Sequence, residues 1–296
     1  MVDKLATDKY SVVPVELIFQ IHKSPCKVVL AITGGGAEII GELLRHGSGS
    51  ATVLDAVVPY STGSMDRFLG RKPEKYCSEK TARLMAMVAY QRALELSKAN
   101  EFEGQEIIGI GATCKLKAEN EREGRKHEIH VAIQADFKTG VSSLELTADR
   151  TREEEEKIAA LLVFNVLARH CVVSEIDLSD VIETGKGKNE EVIEKYEFVS
   201  RPVGDLLKQR KISQDNNYET LSIARINLKE PEAFEESGEP EEPEKIRLVF
   251  PGSFDPCHRN HVLMARLASE KLGEPVHFEI SLTNVDKPPI DFISLN

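Results

Sequence analysis

Apolar positions in this chain follow two periods in alternation. Residues 13–22 carry Val13, Val15, Leu17, Ile18 and Ile21 at helical spacing, and residues 27–32 form an apolar run that breaks into Thr33-Gly34-Gly35-Gly36. A run of that length before a glycine turn predicts a strand covered on both faces, followed by a helix over residues 37–46. Residues 52–61 repeat the strand pattern and leave through Pro59-Tyr60-Ser61. A short helix is expected over residues 65–69 and a long one over 78–98, capped by Ser78. Residues 106–113 read as a further buried strand ending in small residues, and 127–136 and 142–147 as alternating strands joined by a turn at Thr139-Gly140. Thr151-Arg152-Glu153-Glu154 is a capping box that opens a helix over residues 151–170. Strands interleaved with helices predict a layered α/β domain over residues 1–172.

Between residues 173 and 244 the pattern decays. Residues 229–243 are acidic, rich in proline and poor in apolar side chains, a composition that cannot offset the entropy of ordering, so a flexible tether is expected. Residues 201–211, basic with Val203, Leu206 and Leu207, read as a short packing helix. Periodicity returns at residue 245. Ile246, Leu248, Val249 and Phe250 run into Pro251-Gly252, and Leu263, Met264, Leu267 and Leu272 then share one helical face up to Gly273. Residues 276–282 alternate as a second strand, and residues 283–289 follow as a loop containing Lys287.

Composition narrows the field. The 296 residues suit one large or two ordinary domains, and 41% hydrophobic content supplies a packed core. A net charge of −11 argues against nucleic acid or an anionic membrane as partner. No apolar run reaches the roughly 20 residues that span a bilayer, and the first residues lack a signal-peptide pattern. Five scattered cysteines without C-x-x-C spacing (Cys26, Cys77, Cys114, Cys171 and Cys257) fit free thiols in a reducing cytoplasmic or nuclear compartment, and no metal site is expected.

The chemistry concentrates after residue 250. A strand that ends at the start of a helix offers unpaired N–H groups and the positive end of the helix dipole, a place for a phosphate, and Gly252 lets the backbone approach it. His258 and His261, three residues apart, can both project from the first turn, donate to phosphoryl oxygens and stabilise charge that develops in an in-line displacement. Two such histidines taken alone are equally half of a metal site.

With its neighbours, Gly252-Ser253-Phe254-Asp255-Pro256-Cys257-His258-Arg259-Asn260-His261 resembles the G-x-F-D-P-x-H-x-G-H signature of the nucleotidylyltransferase superfamily, with Asn260 at the family's second glycine. The resemblance implies a Rossmann-like sheet and transfer of AMP from ATP, or CMP from CTP, to a phosphorylated small molecule such as nicotinamide mononucleotide, with Mg²⁺ arriving on the triphosphate. It assigns His258 and His261 to the triphosphate and transition state, Gly252, Ser253 and Phe254 to the nucleotide, and Lys287 to substrate phosphate. Only two of about five expected strands follow residue 245, and the family's later Ser-Thr-x-x-Arg motif is absent, so a partial, inactive domain is expected over residues 245–296.

Thr33-Gly34-Gly35, Gly47-Ser48-Gly49-Ser50 and Val57-Val58-Pro59-Tyr60-Ser61 resemble the C-terminal domain of the competence-damage protein CinA, the nicotinamide-nucleotide amidase family. Here the likeness gives Ser50 the place of the nucleophile and Met65 the place of the lysine that would activate it. A thioether cannot accept a proton, so the resemblance implies a vestigial pocket at Thr33, Gly34, Gly35 and Ser50. The tandem resembles a two-domain protein type of plants and other eukaryotes, a likeness carried also by Gly70-Arg71 and by Arg150 to Glu155. The sequence thus reads as a layered α/β CinA-like domain, a polar linker, and a partial Rossmann-like nucleotidylyltransferase domain, with room for a homo-oligomer. Its alternative is a non-catalytic CinA-like module that binds a pyridine nucleotide or serves as a scaffold.

Overall fold

A run such as residues 27–32 has no polar face to offer water, so it needs helices on both sides. The computed structural model, which describes residues 11–97, 104–183, 190–199, 248–252, 259–280 and 288–295, shows that arrangement. The chain divides into two units, Met1–Phe198 and Val199–Asn296. In the first, helix α1 (Val15–Lys23) leads to strand β1 (Cys26–Thr33), which is buried along its whole length. Helix α2 (Glu38–Arg45), a 3-10 turn (Gly49–Ala51), β2 (Val53–Val57), α3 (Thr62–Leu69), α4 (Glu79–Leu96) and β3 (Glu106–Lys115) follow. Strands β4 (His127–Ala135) and β5 (Lys138–Leu146), helices α5 (Arg152–His170) and α6 (Ser179–Glu183), and strand β6 (Ile193–Phe198) complete the unit.

The sheet order is β2-β1-β3-β4-β5-β6, parallel across β2, β1 and β3 and antiparallel from β3 onward. Alternate residues of β1 face opposite layers. Val28, Leu30 and Ile32 join the core with α1, α2 and α5, while Val29 and Ala31 pack with Met65 and Leu69 of α3 and Met85 of α4. The fold is therefore layered α/β, as the alternation of periods predicts. Both expected caps form: Ser78 accepts from the Thr81 N–H, and Thr151 with Glu154 makes the capping box of α5.

Three expectations are corrected. The first unit does not stop at residue 172. Asn165 holds Ile176 through both its amide groups, and β6 pairs with β5, so residues 173–183 and 190–198 belong to the sheet domain rather than to a linker. Local composition hid this because β6 is an exposed edge strand with little apolar patterning. The β4–β5 turn lies at Asp136-Phe137, not at Thr139-Gly140. Gly140 sits inside β5 because the Tyr196 ring of β6 lies where its Cβ would be.

In the second unit, β7 (Leu248–Gly252), α7 (Arg259–Leu272) and β8 (Val276–Ile280) form a strand–helix–strand unit with the two strands parallel. A last turn, α8 (Phe292–Leu295), is capped by Asp291, whose carboxylate accepts from the Ser294 N–H at 3.0 Å. The third correction falls on α7: its expected core face, Leu263, Met264, Leu267 and Leu272, is exposed, and Ala265 is its buried residue. A small side chain lets the helix lie close to a narrow two-stranded sheet. Residues 201–211 and 229–243 lie outside the described residues.

Candidate functional site

Ligands of open parallel sheets bind beyond the carboxyl ends of the strands, where the strand order reverses. In the first unit that place lies between β1 and β3, at Thr33 and Thr113, which are direct partners in the sheet. The glycine turn that follows β1 is filled by the protein itself. At Gly34, whose φ is +76°, a Cβ would land on the Cys114 carbonyl, and at Gly35 it would strike Leu116. Arg152 donates to the Gly34 carbonyl at 2.8 Å, and the Cys114 thiol donates to that of Gly35 at 3.5 Å. At the start of α2 the Glu38 N–H donates to Glu156 Oε1 at 3.4 Å. Burial, then the neighbouring Glu156 carboxylate, raises the pKa of the Glu38 carboxyl. A phosphate here would meet two acids, so the turn serves close packing and is not an anion cradle.

The residues of the expected vestigial pocket do not converge. Strands β1 and β2 are parallel with Val28 opposite Val53, so Ser50, just before β2, lies at the amino end of the sheet while Thr33 lies at the carboxyl end. Ser50 is exposed, and Lys27 Nζ donates to its carbonyl at 3.1 Å. Met65, which the resemblance sets where the amidases have an activating lysine, is buried in the apolar cluster with Val29 and Ala31. Hydrocarbon occupies this part of the α3/α4 face.

Four polar residues form a row across the sheet that the sequence did not reveal. The register pairs Thr33 with Thr113, Thr113 with His130, and His130 with Ser143. Paired residues point to the same face, here the one beneath α3 and the start of α4. Thr33 donates to the Pro59 carbonyl at 3.2 Å and Thr113 to that of Tyr76 at 2.8 Å, so both are satisfied by the loops above them.

His130 carries more chemistry. Its Nδ1 is 2.8 Å from Ser143 Oγ, Ser143 donates to Glu79 Oε1 at 3.3 Å, and Lys195 holds Glu79 Oε2 at 2.7 Å. A carboxylate only accepts, so the Ser143 proton points to Glu79 and Ser143 Oγ receives the proton on His130 Nδ1. That polarity is the reverse of what a serine nucleophile needs, although Ser143, His130 and Glu128 lie in line as a hydrolytic triad would. His130 Nε2 is left as a lone pair, buried without a hydrogen-bond partner and 3.6 Å from Glu128 Oε2. Burial lowers the His130 pKa, which favours the neutral imidazole.

Cys77, next to the cap of α4, completes the group. Its thiol shares its hydrogen between the carbonyls of Thr113 at 3.6 Å and Glu128 at 3.8 Å. Burial, reinforced by Glu128, pushes its pKa up to about 12, so the group is no thiolate nucleophile as it stands. The alternation in Glu128-Ile129-His130 marks a shared strand face, but no local signal brings Ser143 and Cys77 to it. At the opposite end of the sheet a second group gathers Cys26, Glu106 and His170, with Cys171 against Cys26. Cys26, Cys77, Cys114 and Cys171 are all free thiols.

In the second unit Gly252 ends β7 opposite Ile280 of β8, and His261 lies in the first turn of α7 with its ring edge-on to Phe250, 6.0 Å between centroids. A strand and then a helix follow in the expected order, with His261 in the first turn of that helix. Ser253, Phe254, His258 and Lys287 lie outside the described residues. No described helix is long and apolar enough to cross a membrane.

The fold and these sites define a layered α/β protein followed by a parallel strand–helix–strand unit. Solved structures similar to the chain are competence-damage proteins of the CinA type. The competence/damage inducible protein CihA from Agrobacterium tumefaciens is 23% identical over 52% of this chain and 93% of its own, with a TM-score of 0.42. CinA superfamily proteins from Escherichia coli and Enterobacter cloacae are 13% and 14% identical, each over 58% of this chain and 96% and 99% of their own, both with TM-scores of 0.40. No protein-family model and no curated protein matches the chain.

Proposed function

We propose that the second unit binds a nucleoside triphosphate and takes part in nucleotidyl transfer, with the first unit as a CinA-like scaffold whose amidase-type chemistry is lost. The observation that carries this reading is His261 in the first turn of α7, edge-on to Phe250 in the middle of β7, the strand that runs parallel to β8. An imidazole there, beside the positive end of a helix, suits phosphoryl oxygens. The reaction is transfer of AMP from ATP, or CMP from CTP, to a phosphorylated acceptor such as nicotinamide mononucleotide. The acceptor's phosphate oxygen attacks the α-phosphorus and pyrophosphate leaves.

In this reading Gly252, Ser253 and Phe254 line the nucleotide, and His258 and His261 donate to the α-phosphate as its charge builds. Lys287 neutralises substrate phosphate as a point charge. Mg²⁺ enters as the counter-ion of the triphosphate and keeps most of its water. The scaffold role of the first unit is favoured by Met65, which fills with hydrocarbon the place an activating base would need.

Equilibrium binding of Mg·ATP to the full chain tests the proposal. The His258→Ala, His261→Ala double variant is expected to weaken binding at least tenfold, because each donor to a phosphoryl oxygen is charge-assisted. Unchanged affinity would mean that the histidines do not touch the triphosphate.

A further inference from the structure

The geometry points to a site for one zinc-class divalent cation in the first unit, held by Cys77 Sγ, Glu128 Oε2 and His130 Nε2, with a fourth position open to water or a ligand. Each of the three residues offers a ligand atom within 4.8 Å of those of the other two, brought together from the segment before α4 and from one face of β4. A tetrahedral ion with bonds of about 2.0–2.3 Å sets its ligand atoms roughly 3.3–3.8 Å apart. The measured separation of His130 Nε2 and Glu128 Oε2, 3.6 Å, falls in that range and is too long for a hydrogen bond.

The surroundings are built for a ligand rather than for a satisfied polar cluster. The relay from Ser143 to Glu79 to Lys195 fixes the His130 ring and commits Nδ1, so the buried nitrogen that remains is Nε2, the one 3.6 Å from Glu128 Oε2. Metal-bound histidines are held through their other nitrogen in this way. Glu128 divides its oxygens: Oε1 lies 3.8 Å from Lys115 Nζ, and Oε2 faces His130. One thiolate, one carboxylate and one neutral imidazole cancel the two charges of the ion, and binding exchanges the Cys77 thiol proton, released to solvent, for the metal. A sulfur, nitrogen and oxygen donor set favours Zn²⁺ over Mg²⁺ or Ca²⁺. Three protein ligands with an open fourth position are the pattern of ions that act on a bound molecule.

Cobalt titration of the full chain, stripped with a chelator, tests the site. One equivalent of Co²⁺ is expected to give a near-ultraviolet thiolate-to-cobalt band together with the visible bands of a tetrahedral ion. Cys77→Ser should abolish the thiolate band, and Cys26→Ser, in the group at the other end of the sheet, should leave it in place. Ser143→Ala should keep the band but weaken affinity about tenfold, as loss of a group that orients a ligand does. Absence of a thiolate band, its survival in Cys77→Ser, or its loss in Cys26→Ser would overturn the proposal. If Cys77→Ser fails to fold by circular dichroism, Glu128→Gln decides: affinity at least tenfold weaker supports the site, and unchanged affinity rejects it.

Discussion

At the scale of single residues, the absence of a side chain does as much as its presence. Gly109 and Gly111 lie on the face of β3 that meets α4, and a Cβ on either would strike the helix backbone at Ala82, Ala86 or Tyr90. The helix therefore lies directly on the strand, and an added methyl must push the backbone away, since no flexible side chain is there to yield. Gly111→Ala is expected to cost about 1–3 kcal/mol or more, the range for overpacking a tight core. Urea unfolding of the variant beside the parent measures it, and equal midpoints would show that the helix and strand are not in such contact. The same small residues were visible in the sequence as a strand ending in Gly109-Ile-Gly-Ala112, but what they make room for was not. Met65 has the opposite history. The resemblance sets this thioether where an amidase has its base, and the space around it is apolar.

At the scale of elements, β6 shows why local pattern runs out. Its attachment depends on Arg150, which forks onto Glu190 with contacts of 2.9 and 2.6 Å and also donates to the Ile182 carbonyl, with both side chains buried. The Glu190 carboxylate further accepts from the Thr147 and Ala148 N–H groups. Although burial opposes its charge, these partners hold its pKa down to about 2, against an ordinary 4.5. A depressed carboxyl stabilises the fold fully above its unfolded value and loses that contribution as pH falls toward the folded one. The pair should therefore contribute about 3 kcal/mol above pH 4.5 that disappears between roughly pH 4.5 and 2. Unfolding midpoints across this window should fall more steeply for the parent than for Glu190→Gln, and parallel curves would remove the pair from the account. Arg150 and Glu190 are 40 positions apart, so nothing in either neighbourhood announces the bond. The Ser78 cap and the Thr151 box are local and legible in the sequence, whereas the buried side of α7 depends on packing and the row from Thr33 to Ser143 exists only through strand register.

At the scale of the whole molecule, the two ends of the sheet are separate chemical places. Strand β1 is 8 residues long, and at about 3.3 Å per residue its ends lie more than ~20 Å apart. Lys27 with Ser50, and Cys26 with His170, lie at the amino end; Thr33, the row to Ser143 and Cys77 lie at the carboxyl end. Ser50 and the glycine turn therefore cannot act on one substrate, whatever their separate likeness to amidase motifs. Ser50 lies at the end of the sheet away from the glycine turn, and Met65 is enclosed in an apolar cluster, so neither is set to hydrolyse nicotinamide mononucleotide. The full chain should release no ammonia from that compound above the buffer rate, and Ser50→Ala should change nothing. Ammonia release that Ser50→Ala abolishes would show that an exposed serine on the 3-10 turn has found a base from another quarter. The nearest candidate would be Lys27, whose pKa burial lowers and whose ammonium already lies against the Ser50 backbone. A Lys27→Met variant would then separate the two cases, because it removes that base and leaves Met65 and the carboxyl end untouched.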